Sequence, residues 1–343
     1  MPSLTITAEE SAIFSEYLSV GGRLQPRYEY TRHQGNKEDL SSFYLRRARI
    51  DFRGEMFGEK LTFRIMPELA REATMRDAWL NYEFSNAIQI RAGQMPVPYQ
   101  WHRFVSSTRQ YFAERSIISE SFGVPGGYDI GIMLHRKDQA NIIQLEAGFF
   151  DGSGRNTKLS NSNGNLASGR MSLALMGTLP KSEVSLSRTE EPSLAIGTAI
   201  QAANKNESRN WSIGRSASAN YRSSYLSSGA DLYFNYKSIS IAGEIHHRLV
   251  SPDDEDVENY NGTGYMATAG FVILPGRIDI AGRYSELNAD NSDATTKGLS
   301  TGNGEPELTF TIRNIRLKRV CNFYVMKLTL LPIIQCNGRE RSL

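Results

Sequence analysis

Arginine is the residue whose placement in this chain carries the most chemistry. There are 29 arginines against 10 lysines, yet Lys+Arg 39 against Asp+Glu 37 leaves a net charge of only +2. Within 43–54, Arg47, Arg49 and Arg53 alternate with Tyr44, Ala48, Ile50 and Phe52. Arg64 and Glu68 fall on the face opposite Leu61, Phe63 and Ile65, and Arg91 continues the charged series. A guanidinium fork grips an oxyanion with two parallel hydrogen bonds, so a row of arginines along one face suits the attraction and guidance of anions. A second set lies in the irregular stretch 96–128, where Arg103, Arg109, Glu114 and Arg115 stand among Trp101, Phe104, Tyr111 and Phe122. That stretch is apolar enough to be ordered, and a filter belongs where the walls of a passage approach most closely.

Other chemistry is poorly supported. The five histidines are His33, His102, His135, His246 and His247, and the adjacent pair points to opposite faces of a strand. No His-Glu-x-x-His, Gly-x-Ser-x-Gly or P-loop pattern occurs, so no enzyme, metal site or cofactor is expected. Gly123-Val-Pro-Gly-Gly reads as a return turn rather than a phosphate cradle. Cys321 and Cys336 both fall near the end of the chain, which leaves its body without a disulfide framework. The small net charge argues against a nucleic-acid partner. No apolar run reaches the ~18–20 residues of a spanning helix.

The elements that would position these residues have a period of two. Strands are expected at 17–33, 42–54, 59–71, 75–84, 87–94, 129–137, 141–151, 167–179, 193–202, 227–237, 239–250, 263–274 and 276–287. Very short links alternate with long polar loops such as 152–166 and 203–221. This is the habit of an up-and-down barrel in the outer membrane, and several strands exceed the ~9–11 residues that cross a bilayer. The charged face also carries Arg23, Arg27, Glu29, Glu146, Arg170, Glu244, Arg248, Arg277 and Arg283. Alternation allows that face to meet bulk water or to line a wet lumen; strand length favours the lumen. Tyr28, Tyr30, Tyr82, Phe84, Tyr236 and Tyr284 would then form interfacial girdles.

Four stretches resemble the phosphate-selective porin O and P family. They are Tyr44-Leu-Arg-Arg-Ala-Arg-Ile-Asp-Phe-Arg-Gly-Glu, Asp77-Ala-Trp-Leu-Asn-Tyr with Ile90-Arg-Ala-Gly-Gln-Met-Pro, Phe112-Ala-Glu-Arg-Ser with Tyr128-Asp-Ile-Gly, and Gly264-Tyr-Met-Ala-Thr-Ala-Gly-Phe with Pro275-Gly-Arg-Ile-Asp. The resemblance implies an all-β, antiparallel transmembrane barrel of about sixteen strands, a homotrimer among outer-membrane lipid and lipopolysaccharide. It implies passive diffusion of small anions such as phosphate through a lumen lined by Arg47, Arg49, Arg53, Arg64 and Arg91. By parity Arg46, although in the motif, should point outward or lie near a strand end. Glu114-Arg115 matches the inward loop's Glu-Arg pair, either as a filter or as an ion pair holding the loop.

The chain also departs from that family. No lysine occurs between Tyr99 and Gly127, and Gly127-Tyr128-Asp129 lacks one arginine, which weighs against a phosphate preference. Residues 1–16 read as an N-terminal segment with no signal peptide, 17–310 as the barrel, and 311–343 as an aberrant tail. That tail is expected to reflect a shifted reading frame, with the last closing strands missing. The alternatives are a non-selective or sugar-passing porin and a structural or adhesive barrel with a blocked lumen.

Overall fold

The structure, a computed structural model, describes residues 18–31, 40–56, 60–70, 72–85, 87–112, 114–137, 140–157, 165–184, 188–206, 223–253, 258–275, 278–290 and 305–312. The expectations for 1–16, His33, Arg277, the two cysteines and the tail beyond 312 lie outside the described residues.

Among the described residues, fourteen strands form one antiparallel sheet in strict chain order. They are β1 (Leu18–Thr31), β2 (Leu40–Met56), β3 (Leu61–Glu68), β4 (Thr74–Glu83), β5 (Ile88–Pro96), β6 (Tyr128–Lys137) and β7 (Ile143–Phe150). β8 (Asn165–Met176), β9 (Thr189–Asn206), β10 (Ser223–Lys237), β11 (Ile239–Pro252), β12 (Tyr260–Leu274), β13 (Ile278–Asp290) and β14 (Glu305–Ile312) complete it. Thirteen lie where the alternation places them. The fourteenth, β14, has only Leu308, Phe310 and Ile312 as alternating apolar residues, too few to stand out from its polar flanks. β1 and β14 are the sheet edges among the described residues.

The two faces are inverted relative to a soluble sandwich. Phe43 is 82% exposed and Phe149 76%, and Leu80, Ile132, Ile200 and Ile245 share their outward face. Arg248 is 0% exposed and Glu244 3%, with Arg170, Asp231 and Arg283 on the same inner side. An apolar exterior around a polar interior is the arrangement a barrel needs in lipid. Tyr28 packs on Phe43 at 4.6 Å toward one end, and Tyr82 on Phe84 at 4.9 Å toward the other. Among the described residues, no helix is long and apolar enough to cross a membrane.

Six register irregularities interrupt the ladders among the described residues, and in two of them the extra residue lies opposite a proline on the neighbouring strand. In β1–β2, Gln25 pairs with Arg47 and Pro26 with Leu45, so Arg46 is the extra residue. In β3–β4, Met66 pairs with Asp77 and Pro67 with Met75, so Arg76 is extra. Proline offers no N–H to the ladder, and a bulge absorbs the missing bond while turning the extra side chain. Arg46 therefore points inward beside Arg47, contrary to the parity expectation. Tyr44 moves to the inner side with it, where the Arg27 guanidinium lies 5.9 Å from its ring.

Between β5 and β6 the chain turns inside the curved sheet. It carries helices α1 (Trp101–Phe104) and α2 (Ile117–Phe122) and returns through a 3-10 turn at Pro125–Gly127. Gly126 at φ 70° and Gly127 at φ 75° make that return, and a Cβ on Gly127 would lie 2.7 Å from Arg103 Cδ. Ser116 caps α2 by accepting from the Ser119 N–H at 3.2 Å.

Candidate functional site

The inward segment is fixed to walls on several sides, which shows that the sheet wraps around it. The Tyr99 hydroxyl donates to the Ser228 carbonyl at 2.9 Å, and the His102 N–H donates to Glu244 Oε1 at 2.7 Å. Tyr111 shares a 2.5 Å hydrogen bond with Ser240 Oγ and sends its N–H to Glu183 Oε2 at 3.1 Å. Arg248 donates to Ser227 Oγ at 2.7 Å and to the Phe122 carbonyl at the end of α2. Arg170, paired with Asp231 at 2.7 Å, also donates to the Tyr99 carbonyl at 3.0 Å. On the β1 side, Arg23 reaches Ser107 Oγ at 3.0 Å. Many inward charges are therefore anchors, not contact points for solute.

Glu114 joins the β1–β2 pair to β13. Its carboxylate receives Arg27 of β1 and Arg46 of β2, each at 2.5 Å, while its carbonyl accepts from Arg283 of β13 at 3.1 Å. Burial alone would raise the Glu114 carboxyl, but hydrogen bonding and charge from Arg46, backed by Arg47 and Arg27, hold it below its usual value. Arg115 does not pair with it. Its guanidinium donates to the carbonyls of His102 and Val105, and burial, with Arg103 and Arg76 adding, pushes it down to about 9.

The segment separates two cavities. The larger, about 510 Å³, is lined by seven arginines (46, 47, 49, 76, 103, 115 and 155) and by Glu68, Glu72, Glu114 and Glu120. Glu68 is paired with Arg49, and Glu120 with Arg103 at 2.9 Å. Arg47 donates to Gln25 Oε1 at 2.8 Å and Arg76 to the Tyr128 hydroxyl at 3.1 Å, both neutral acceptors. The smaller cavity, about 300 Å³, lies on the other side of α1 against β7 and β8. Arg109 and Lys181 line it with Ser172, Phe104 and Glu146. The first cavity includes Ala70, Glu72 and Arg155 from the β3–β4 and β7–β8 connections; the second includes Pro180 and Lys181 from the β8–β9 connection at the opposite end. The two cavities thus lie on opposite sides of α1.

The sequence model of phosphate-selective porin O and P matches residues 18–303. The chain belongs to that family. This porin is accordingly an outer-membrane channel built on a β-barrel. It is similar in fold to the anion-selective porin from Comamonas acidovorans, with a TM-score of 0.56 at 13% identity over 85% of this chain and 82% of that one. OmpF of Salmonella typhi in complex with daunomycin gives a TM-score of 0.54 at 12% identity, over 87% of this chain and 86% of that one. The outer membrane channel DcaP of Acinetobacter baumannii gives 0.51 at 11% identity, over 87% of each chain. A curated uncharacterized protein of Aquifex aeolicus (strain VF5) is 28% identical over 165 residues, 40% of this chain; the match spans 39% of that relative's length.

Of the arginines marked from sequence, the vestibule of the porin gathers Arg47, Arg49, Arg103 and Arg115. Arg53 and Arg64 lie elsewhere, sharing Asp51 at 2.7 and 2.8 Å. Arg91 stacks over Trp79 at 4.3 Å, and Arg109 faces the second cavity. Sequence reasoning missed Arg76, Arg155 and Lys181 as lining residues, and it placed Arg27 on the charged face without its latch to Glu114. The prolines opposite the two bulges were the available signal for Arg46 and Arg76. His246 contacts Glu244 at 3.2 Å while His247 meets Thr263 at 2.9 Å, as opposite faces require. Among the described residues no three His, Cys, Asp or Glu side chains gather as a metal set.

Proposed function

We propose that this porin passes small hydrated anions, phosphate among other oxyanions, by passive diffusion down the arginine-lined lumen. The observation that carries the reading is the vestibule, where seven arginines face four glutamates and three of those glutamates are already held by arginine. Such a surplus of fixed positive charge within a narrow, low-dielectric wall raises the local concentration of anions and lowers their entry barrier. Past α1, Arg109 and Lys181 continue the positive surface toward the other mouth. The process needs no cofactor and no chemical turnover. The lack of lysine between Tyr99 and Gly127 supports general oxyanion passage over strict phosphate selection. The outward aromatic pairs fit a barrel seated among outer-membrane lipid and lipopolysaccharide, and membership of the family supports a homotrimer.

Reversal potentials in planar bilayers under a KCl gradient test the reading. An anion-preferring sign is expected, shifting toward cations in Arg155→Glu and in Arg109→Glu. A cation-preferring or silent channel would overturn it.

A further inference from the structure

We propose that Glu114 is a built-in competitor of the permeating anion: its carboxylate occupies an oxyanion seat made by Arg27 and Arg46, and a passing oxyanion takes that seat by exchange. The proposal rests on the anion-passage reading above and specifies what happens at one point along it.

Arg46 grips Glu114 with both ends of its fork, Nε to Oε1 at 2.6 Å and Nη2 to Oε2 at 2.5 Å. Arg27 Nη1 adds a third bond to Oε1 at 2.5 Å. This is the fork-on-fork geometry by which guanidinium recognises any planar or tetrahedral oxyanion. The seat opens on the vestibule next to Arg47, and the Glu114 side chain keeps 42% of its exposure. A solute can therefore reach the carboxylate's position.

The carboxylate can also leave without undoing the constriction. Glu114's carbonyl is held separately by Arg283, its neighbour Arg115 is fixed on carbonyls of α1, and Ser116 caps α2. Among the described residues, all hydrogen bonds to the carboxylate come from the two arginines. The Arg49–Glu68 pair differs. Glu68 also accepts the Ala48 N–H at 2.7 Å, and both side chains are nearly enclosed, so that pair is part of the wall. A channel must bind its solute weakly enough to release it. An internal carboxylate that competes for the seat supplies that weakness and turns a trap into a relay.

The test titrates inorganic phosphate into the detergent-solubilised full chain by calorimetry, with reversal potentials measured on the same preparations. Glu114→Gln is expected to bind phosphate about tenfold tighter. Glu114→Asp retains the charge but shortens the reach, and should shift affinity in the same direction; it also serves if the Gln variant does not fold. Glu72→Gln removes an equal charge from the same cavity and should change affinity less than about twofold. Unchanged or weaker phosphate binding in Glu114→Asp overturns the proposal, as does an equal gain in Glu114→Gln and Glu72→Gln. Tighter binding in Glu114→Asp with a cation-preferring reversal potential keeps the seat and removes only the passage reading.

Discussion

Gly270 on β12 is where the wall makes room for the constriction, and Gly270→Ala is the sharpest way to disturb it. A Cβ there would stand 2.2 Å from Tyr111 Cζ and 2.3 Å from its hydroxyl oxygen. Carbon atoms settle near 3.5–4.0 Å, so the ring or the strand must yield by roughly 1.3–1.8 Å. The ring has little freedom to do so. Tyr111 is 2% exposed, packs with Phe112, Val184 and Ala281, and is tied through its hydroxyl to Ser240 and through its N–H to Glu183. Overpacking plus one lost hydrogen bond gives a cost of roughly 2–4 kcal/mol. The readout is the temperature at which the folded form converts to the slower-migrating unfolded form on SDS gels, expected to fall by on the order of 5 °C. Single-channel conductance should change with it, because the displaced segment lies inside the sheet between the two cavities. Gly243→Ala is the control: that Cβ faces outward and meets only Met266 O, at 3.5 Å. The reasoning is refuted if the two variants behave alike. It is equally refuted if Gly270→Ala costs as much in a Tyr111→Ala background, where the clash no longer exists.

Three further outcomes follow from the same geometry. Arg170→Met should destabilise the barrel by about 3–5 kcal/mol, since it strands Asp231, and Arg170→Met/Asp231→Leu should recover much of that in thermal unfolding. Burial opposes both Glu114 and Glu183, but Arg46 outweighs it for the first and His102 with the Tyr111 N–H for the second, leaving both below their usual 4.5. A lowered carboxyl stabilises above its ordinary value and loses that contribution as pH falls through the lowered one. Current noise from the segment should therefore stay constant between about pH 7 and 5 and rise below about pH 4 as protonation of Glu183 weakens its hold on the Tyr111 N–H; the Glu114 carboxylate, whose departure leaves the segment in place, adds little to it. Pro26→Val restores a ladder N–H opposite the first bulge; Arg46 should rotate away from Glu114, and the reversal potential should move toward cations.

Most of the wall was legible because lipid outside and water inside impose opposite demands on alternate residues, and those demands are written directly in the sequence. Leu80, Ile132 and Phe149 against Asn81, Glu146 and Arg170 need no tertiary information to assign. The site was only partly legible. Whether an inward arginine faces solute or anchors the constriction depends on which strands face each other, and Arg248 and Arg170 owe their anchoring roles to segments more than seventy residues away. Arg46 was misassigned for a different reason. Its orientation is set by Pro26 on the adjacent strand, so a rule applied to one strand at a time had no access to it.

The same bulges bear on how such a channel changes over time. Pro26 and Pro67 belong to the lipid-facing rows, with Leu24 and Tyr28 in one strand and Ile65 and Leu69 in the other. Neither contacts the lumen, yet each governs whether an arginine on the next strand is counted among the pore's charges. A mutational survey confined to lumen-lining positions would pass over both. Ancestry can thus recast the ionic character of the conduit through substitutions on its greasy exterior, without touching a single basic residue.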